Sequence, residues 1–405
     1  MKNSAIAAPG LRRVRDVLAR HVESGRIPGL VALVGRGGET HIEAIGTMRH
    51  DGGAPMRHDT IFRMASTSKP VAVAPVLMLI DECRLRLDDP VEPWLPELAG
   101  RRVLKRVDGP LDDTVPARRP ITVRSLLTST FGLGMDLTSP EAPVQVAIQE
   151  LELTGRGAPP PEPDEWMRRL GTLPLTHQPG AHWQYHISND VLGVLVARVT
   201  GRPFATFLRE RLFEPLGMKD TGFHVPADGI DRLPPAYVPD PRTGEFIVWD
   251  EAAGGRYSRP PEFPSGGGGL VSTVADYHAY FRMLLNHGMH GSERILSRPA
   301  VQLMTTNRLT PAQQAPRDAL ADSTPLAYGL GKHGGWGFGM ATRTYRSDFA
   351  SVGQFGWDGG TGTTAYADPE ERLTGMLLTQ VGMSTPDSPR AIHDFWTTVY
   401  QAIDE

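Results

Sequence analysis

Strand-like segments lie near both ends of this chain of 405 residues, whereas helical patterns dominate its middle. Each end carries two short β-rich segments and one helix with apolar residues at helical spacing. Two ends that each hold strands and a helix are expected to fold together, with the middle of the chain as an insertion. The predicted strands are 30–34, 41–45, 363–367 and 373–379, and the predicted terminal helices are 10–24 and 390–403.

This pattern predicts an α/β (α+β) fold with two parts. Residues 1–85 and 270–405 should form an antiparallel sheet flanked by helices, and residues 86–269 a mainly helical domain. Within the helical part, residues 225–269 are rich in proline and glycine and lack periodicity, which predicts a long surface loop. A cleft between two such domains is a common place for a small-molecule site.

Charge and hydropathy exclude several classes of function. The formal net charge is −4, so no basic excess is available for nucleic acid. The longest apolar run, 71–80, is far shorter than the roughly 20 residues that span a bilayer, and residues 1–20 lack the apolar segment of a secretory signal.

The single cysteine, Cys83, cannot form an internal disulfide, which is compatible with a reducing cytoplasm. It falls in an apolar helical pattern, so we expect it to serve packing.

Ser66 and Lys69 are the first candidates for chemistry. A helix should begin near Ser66, and residues three apart share a helix face, so the serine hydroxyl and the lysine amine can meet. A serine becomes a nucleophile when a neighbouring base takes its proton. The alternative is a helix cap at Ser66 followed by an exposed Lys69. The apolar helix that follows argues against it, because a lysine is costly to bury without a role.

Tyr185 precedes a second apolar helix and could present its hydroxyl to a cleft. Near a lysine, a phenol can act as a base, although a core tyrosine with one hydrogen bond is the plainer interpretation. His182 and His186 are four residues apart around it, but the segment resembles a turn, so we expect no metal there.

Two glycine-rich segments complete the set. Residues 357–364 lead into a strand, where a glycine would let a substrate approach a backbone N–H, or would simply form a turn. Residues 265–269 include four consecutive glycines, but no Lys-Ser or Lys-Thr pair follows, which excludes a phosphate loop. Ser272 or Thr273 should instead cap the next helix.

Together these motifs resemble the serine β-lactamase and penicillin-binding-protein superfamily, and within it the class C-like branch and the family VIII carboxylesterases. The resemblance includes the segments DTIFRMASTSKP, FEPLGMKDTGF and FGWDGGTGTT. It implies that Ser66 is the acylated nucleophile, Lys69 its proton partner and Tyr185 the general base and acid, and it leaves open which of Lys69 and Tyr185 takes the serine proton. It also implies an oxyanion hole formed by the backbone N–H groups of Ser66 and Gly360, with no metal and no cofactor.

The departures from the family pattern point to the substrate. The Y-x-N element is Tyr185-His186-Ile187, so its asparagine is missing, and the K-T-G element is Trp357-Asp358-Gly359, so its cation is missing. Because that cation would pair with the carboxylate of a β-lactam, an uncharged ester is favoured. We expect Trp357, Asp358, Gly359 and Ile187 to contact it. Ser129 and Phe131 also depart from the family pattern, with no assigned consequence.

The sequence thus predicts a cytoplasmic serine carboxylesterase that cleaves small-molecule esters, with neither nucleic acid nor a membrane as partner and with its oligomeric state open. Two alternatives remain. One is an acyltransferase, or a β-lactam or amide hydrolase, that uses the same acyl-enzyme. The other is a non-catalytic binding protein that keeps the fold.

Overall fold

The computed structural model describes residues 6–136, 139–155, 158–323, 327–330, 334–385 and 387–403. The strands in chain order are β1 (Gly29–Arg36), β2 (Glu39–Arg49), β3 (Gly52–Pro55), β4 (Phe62–Arg63), β5 (Arg102–Leu104), β6 (Thr114–Pro116), β7 (Ala236–Pro239), β8 (Phe246–Asp250), β9 (Val271–Ser272), β10 (Met289–His290), β11 (Glu293–Arg294), β12 (Gly335–Trp336), β13 (Ala341–Thr342), β14 (Phe355–Gly359), β15 (Thr363–Asp368) and β16 (Leu373–Thr379).

The α-helices in chain order are α1 (Ala8–Glu23), α2 (Ser68–Asp81), α3 (Val123–Leu127), α4 (Pro143–Glu150), α5 (Pro163–Thr172), α6 (Ile187–Thr200), α7 (Phe204–Leu208), α8 (Glu214–Leu216), α9 (Val274–Leu285), α10 (Arg298–Met304), α11 (Pro311–Ser323) and α12 (Arg390–Gln401). A π-helical turn, Arg209–Phe213, joins α7 to α8. Among the described residues, no single helix has the length and apolar character to cross a membrane. The bent pair Ile187–Thr200 and Phe204–Leu216 reaches that threshold by length and composition only when counted together.

One antiparallel sheet of eight strands joins the two ends of the chain, in the order β12-β13-β14-β15-β16-β1-β2-β3. Strand β1 lies between β16 and β2, so Leu33 pairs with Met376 on one side and with Ile42 on the other. This confirms the predicted α/β class with an antiparallel sheet flanked by helices. The hairpins predicted at 30–45 and 363–379 are both present, each somewhat longer than expected.

Alternate residues of β1 supply two hydrophobic layers, because successive side chains of a strand point to opposite faces. Leu30 and Ala32 join a cluster with α1 and α12. Val31 and Leu33 join the larger cluster, which continues through α2, α6 and α9. The helices of the middle segment therefore pack on the same core as one face of the sheet.

Two local expectations are corrected. Residues 225–269 contain the hairpin of β7 and β8, and Tyr237 in it donates a backbone hydrogen bond to Gln380. Strands of four and five residues are too short to show a period. Cys83 is exposed, with φ 57°, because α2 ends at Asp81 before reaching it. The expectation that it serves packing was wrong.

Candidate active site

Ser66 lies at an abrupt change from strand to helix. Strand β4 pairs with β9, a short 3-10 helix follows at Ala65–Thr67, and α2 continues from Ser68. Ala65 has φ 44°, a left-handed conformation that costs free energy in a residue other than glycine. The backbone bond from Met64 N to Leu270 O, 2.8 Å, holds the segment against β9. This turn leaves Ser66 at a cavity wall.

Lys69 is completely buried one helical turn after Ser66. Its Nζ lies 2.9 Å from Ser66 Oγ, as the spacing of the two residues predicts. The same Nζ donates to Gly267 O at 2.6 Å and lies 3.1 Å from Nδ1 of His186. A buried amine is tolerated when polar groups surround it, and these contacts fix it beside the serine hydroxyl.

Tyr185 reaches the same place from the helical part of the molecule. The centroid of its ring is 4.5 Å from Lys69 Nζ, and its hydroxyl accepts a hydrogen bond of 2.9 Å from Trp357 Nε1. Tyr185 and Ser66 line one cavity. Three segments distant in sequence, containing Ser66, Tyr185 and Trp357, thus meet at one point.

Gly360 follows β14 at the edge of this cavity. A Cβ on Gly360 would meet no atom within 4 Å, so its backbone faces open space. Thr361 and Thr363 donate side-chain hydrogen bonds to the carbonyl oxygens of Arg63 and Met64. The glycine and Ser66 are thereby tied to each other, an arrangement suited to two backbone N–H groups acting on one oxyanion.

The cavity that these residues share has a volume of about 610 Å³. Among the described residues that line it there is no lysine or arginine, while Asp136 and Asp358 contribute carboxyl groups. Its apolar wall consists of Met135, Ile148, Trp183, Leu320, Trp357 and Met383. A space of this size and character fits an uncharged small molecule with an apolar part.

Asp358 lies at the cavity wall but also holds neighbouring segments together. Its Oδ2 accepts from Ser388 Oγ at 3.0 Å and from Gly329 N at 3.3 Å. Burial raises the pKa of this carboxyl group, and hydrogen bonds from Thr364, Ser388 and Gly329 oppose that effect. Its charge is therefore weaker at the cavity than the sequence suggests.

The structure places two predicted substrate contacts elsewhere. Ile187 is completely buried in the main hydrophobic cluster, because the backbone turns sharply between Tyr185 and α6. A Cβ on Gly359 would lie 2.4 Å from Met64 O, so this glycine faces the backbone of Met64. Neither is among the residues that line the cavity. Both predictions of substrate contact are corrected on this geometry.

The departures at 129 and 131 have different surroundings. Ser129 Oγ is 3.0 Å from Ser188 Oγ, and its carbonyl accepts from Gln184 N at 2.7 Å. Phe131 is buried in the main cluster. Ser129 therefore supports the segment that carries Tyr185, whereas Phe131 contributes to the core.

The sequence did not single out the polar groups behind Lys69. His186 and the buried Asp190 lie next to it, and Ser265 Oγ donates to Asp190 at 2.6 Å. The run of glycines brings its backbone there, since a Cβ on Gly266 would lie 2.4 Å from Asn189 O and one on Gly267 2.9 Å from the Asp190 carboxylate. Four glycines before an otherwise ordinary helix were the available signal.

Within the described ranges, no group of three or more histidine, cysteine, aspartate or glutamate side chains is arranged to hold a metal ion.

Comparison with known proteins agrees with this geometry. The family model described as beta-lactamase matches residues 14–394. Protein Rv1367c of Mycobacterium tuberculosis is 38% identical over 363 residues, covering 88% of this chain and 87% of that protein. Esterase EstB of Burkholderia gladioli is 32% identical over 410 residues, covering 94% and 93%. The solved structure of EstCE1, a hydrolase with promiscuous acyltransferase activity, superposes with a TM-score of 0.79 at 26% identity, covering 96% and 98%.

Proposed function

This chain belongs to the beta-lactamase family, and from that premise we propose that it is a carboxylesterase acting on uncharged esters through an acyl-enzyme on Ser66. The coarser assignment, a serine hydrolase or acyltransferase of this fold, is established by its esterase and acyltransferase relatives. One observation carries the finer proposal: Ser66, hydrogen-bonded to Lys69, and Tyr185 line a cavity whose described lining holds no lysine or arginine and includes Trp357, the residue at which the family pattern has its cation.

In the proposed acylation, Ser66 Oγ attacks the ester carbonyl carbon while its proton passes to Lys69 Nζ, the amine 2.9 Å away. The carbonyl oxygen becomes an oxyanion between the backbone N–H groups of Ser66 and Gly360. When the carbon–oxygen bond to the alcohol breaks, the Tyr185 hydroxyl gives its proton to the departing oxygen. The Lys69 ammonium, next to the Tyr185 ring, then returns a proton to the phenolate.

Deacylation follows the same route with water in place of the alcohol. Tyr185 first passes its proton to the neutral amine of Lys69 and then, as a phenolate, takes a proton from water while the water oxygen attacks the acyl carbon. The second oxyanion collapses, the bond from the acyl carbon to Ser66 Oγ breaks, and the Lys69 ammonium returns its proton to the serine oxygen, which releases the acid and restores Ser66. The charged side chains of the described lining are all carboxyl groups, so a substrate carboxylate would find no cation there and neutral acyl groups are favoured.

Replacement of the nucleophile tests this proposal. Ser66→Ala should lower kcat for p-nitrophenyl butyrate by at least about 10³-fold. Ser384→Ala, at a serine that also lines the cavity, should stay within about threefold of the wild type. Intact mass after incubation with a fluorophosphonate should show one adduct in the wild type and none in Ser66→Ala. A folded Ser66→Ala protein with undiminished activity would contradict the proposal.

Acyl transfer is the second candidate, since EstCE1 combines hydrolysis with that activity. The same acyl-enzyme would react with an alcohol instead of water. Product analysis with and without added butanol separates the two, because a transferase forms the butyl ester at the expense of the acid. Including a chromogenic cephalosporin tests β-lactam cleavage, and absence of any fluorophosphonate adduct would favour a binding protein.

A further inference from the structure

A histidine lies between the buried amine of Lys69 and a buried carboxyl group. Nδ1 of His186 is 3.1 Å from Lys69 Nζ, and its Nε2 is 3.5 Å from Asp190 Oδ2. The other oxygen of Asp190 accepts from Ser265 Oγ at 2.6 Å and from Gly267 N at 2.9 Å. Asp190 Oδ2 is thus left facing the imidazole ring.

The backbone at His186 is held in a conformation that residues with a side chain seldom take. Its φ is 82° and its ψ −69°, and Ile187 N donates to Tyr185 O across it at 3.2 Å. These angles and this bond define a strained γ-turn. The turn separates three consecutive side chains: Tyr185 faces the cavity, His186 contacts Lys69, and Ile187 enters the core. Strain of this kind persists where function or the surrounding structure requires it.

Hydrogen-bond donors and acceptors around Lys69 determine what the imidazole can do. Gly267 O can only accept, so it takes one N–H of the amine. A neutral amine has one further N–H and one lone pair. If Nδ1 of His186 accepts that N–H, the lone pair is left for the hydroxyl of Ser66. The ring then carries its hydrogen on Nε2, directed toward Asp190.

We propose that His186 is a positioning residue that accepts a hydrogen bond from Lys69 at Nδ1 and so aims the amine's lone pair at Ser66. The inference rests on the proposed acylation of Ser66. When Lys69 takes the serine proton, one N–H of the ammonium remains on His186, with the Asp190 carboxyl group beyond it. The O–H bond of Ser66 breaks, an N–H bond on Lys69 forms, and the new positive charge faces the imidazole and Asp190.

Protonation of the ring removes this role. With hydrogen on both nitrogens, Nδ1 becomes a donor and competes with Ser66 for the lone pair of Lys69. In the part of the chain that the structure describes, the titratable groups that face His186 include Lys69 on α2, Tyr185 beside it and Asp190 one turn along α6. Activity should therefore fall on the acid side in the pH range where imidazole protonates.

Two substitutions separate positioning from packing. His186→Gly relieves the positive φ, so the protein should fold, but it removes the acceptor. His186→Asn supplies an acceptor oxygen that does not titrate, in a residue that tolerates positive φ. We expect kcat for p-nitrophenyl butyrate at pH 8 to fall at least tenfold in His186→Gly with KM within threefold. His186→Asn should recover at least threefold of that loss. His182→Asn, at a histidine stacked on His177, is the matched control and should leave kcat within twofold.

The pH profile decides the inference. The ratio of kcat/KM at pH 8 to that at pH 5.5 should be at least threefold larger in the wild type than in His186→Asn. The inference is overturned if His186→Gly keeps kcat within threefold, if asparagine gives no recovery, or if the two acid limbs superimpose.

A measurement without substrate separates this inference from the proposed function. In protein labelled with ¹⁵N-histidine, long-range ¹H–¹⁵N correlations at pH 8 should show His186 with its hydrogen on Nε2. The signal is assigned by its absence from His186→Asn. A hydrogen on Nδ1 overturns the inference even if the ester is cleaved. If the wild type cleaves no ester, the proposed function fails while this tautomer is still read directly.

Discussion

Two residues next to the proposed nucleophile and base have strained backbones. Ala65 (φ 44°) precedes Ser66, and His186 (φ 82°) follows Tyr185. Such conformations cost on the order of 1–3 kcal/mol each, and the surrounding contacts must enforce them. The bond from Met64 N to Leu270 O holds the backbone at Ala65, and the burial of Ile187 holds the backbone at His186. The two key side chains therefore project from turns whose shape the rest of the fold dictates.

Trp357 provides a test of the link between the cavity wall and Tyr185. Trp357→Phe keeps an aromatic ring but removes the Nε1–H that Tyr185 Oη accepts at 2.9 Å. A hydrogen bond of this kind contributes about 0.5–1.5 kcal/mol, so kcat/KM for p-nitrophenyl butyrate should fall by about 2- to 12-fold. Steady-state kinetics of the wild type and of Trp357→Phe measures this change in kcat/KM.

Trp336→Phe is the matched control for that change. Trp336 packs edge-on against Trp357 with ring centroids 4.9 Å apart, and its Nε1 has no hydrogen-bond partner among the residues that the structure describes. This variant removes indole volume without removing a bond to Tyr185. An equal loss of kcat/KM in both variants would show that packing, rather than the hydrogen bond, sustains the rate.

The sequence predicts the residues of the active site better than it predicts their surroundings. Ser66 and Lys69 follow from helical spacing, which is a local property. The contact of His186 with Lys69 depends on a γ-turn that no propensity of histidine favours. The burial of Ile187 depends on the same turn, which is why a substrate contact was expected there.

Among the elements, α9 carries a buried histidine that makes stability depend on pH. His278 Nδ1 is 2.9 Å from Thr374 Oγ1 on β16, and its Nε2 is 3.2 Å from Thr40 Oγ1 on β2. Burial, reinforced by Arg282, lowers its pKa to about 4. Between pH 6.5 and 4 the unfolded chain binds a proton at this site and the folded chain does not. The stabilisation is complete above about pH 6.5 and is lost as the pH falls toward 4.

His278→Gln tests this dependence because glutamine stays neutral. The difference in pKa corresponds to about 3 kcal/mol, so the wild type should lose about that much more unfolding free energy between pH 7 and pH 4 than the variant. Burial also lowers the pKa of His177 to about 4, so part of the dependence of unfolding free energy on pH remains in both the wild type and the variant. Urea titrations at both pH values measure the difference. His58→Gln, at an exposed histidine, should retain the full slope, and an unchanged slope in His278→Gln would contradict the assignment.

Helix α11 contributes Leu320 to the cavity wall and is held by a buried arginine. Arg317 is 1% exposed, donates to Gly334 O and to Gly329 O at 2.7 Å, and lies 5.8 Å from the ring centroids of Trp183 and Trp336. Burial lowers the pKa of its guanidinium to about 10, so it remains charged near neutral pH.

Arg317→Met should loosen α11, because Gly329 O loses the hydrogen bond from Arg317 and Gly334 O keeps only the one from Gln314. We expect amide hydrogen exchange over residues 311–323 to accelerate at least tenfold while the central strands are unaffected. Because Leu320 on α11 lines the cavity, KM for p-nitrophenyl octanoate should rise more than KM for the acetate. Arg346→Met, at an exposed arginine, is the control, and unaltered exchange in α11 would refute the anchoring role.

The elements that the sequence predicts best are those with a strong period or a clear cap. Helices α1 and α12 appear within about two residues of their expected bounds, and Thr273 caps α9 as expected by accepting from Asp276 N. The hairpin of β7 and β8 and the pair of β12 and β13 were not predicted. Their strands have two to five residues, and tertiary pairing rather than local pattern creates them.

For the whole molecule, the decisive feature is the pairing of β1 with β16, which closes the ends of the chain into one sheet. The strand-like ends predict this closure, but the order of the eight strands depends on long-range pairing that no local pattern contains. Gly360 follows β14 of this sheet, whereas the Ser66 turn follows β4, which pairs with β9 outside it. Hydrogen bonds from Thr361 and Thr363 to Arg63 O and Met64 O hold the two at one edge of the cavity. The helical part delivers Tyr185 from the other side.

The shared core makes the sheet and the middle helices a single stability unit. Leu195 of α6 is completely buried in the cluster that also contains Leu33 of β1 and Leu378 of β16. Leu195→Ala should lower the unfolding free energy by about 2–5 kcal/mol, the usual cost of a cavity at such a site. If the core is cooperative, the most protected amides of α6 and of β16 should lose this free energy equally in native-state hydrogen exchange.

Ile247→Ala, at a side chain in β8 that is 47% exposed, is the control and should change the exchange of neither α6 nor β16. A loss confined to α6 would mean that residues 86–269 open as a domain of their own, and urea unfolding followed by circular dichroism would then show two transitions instead of one.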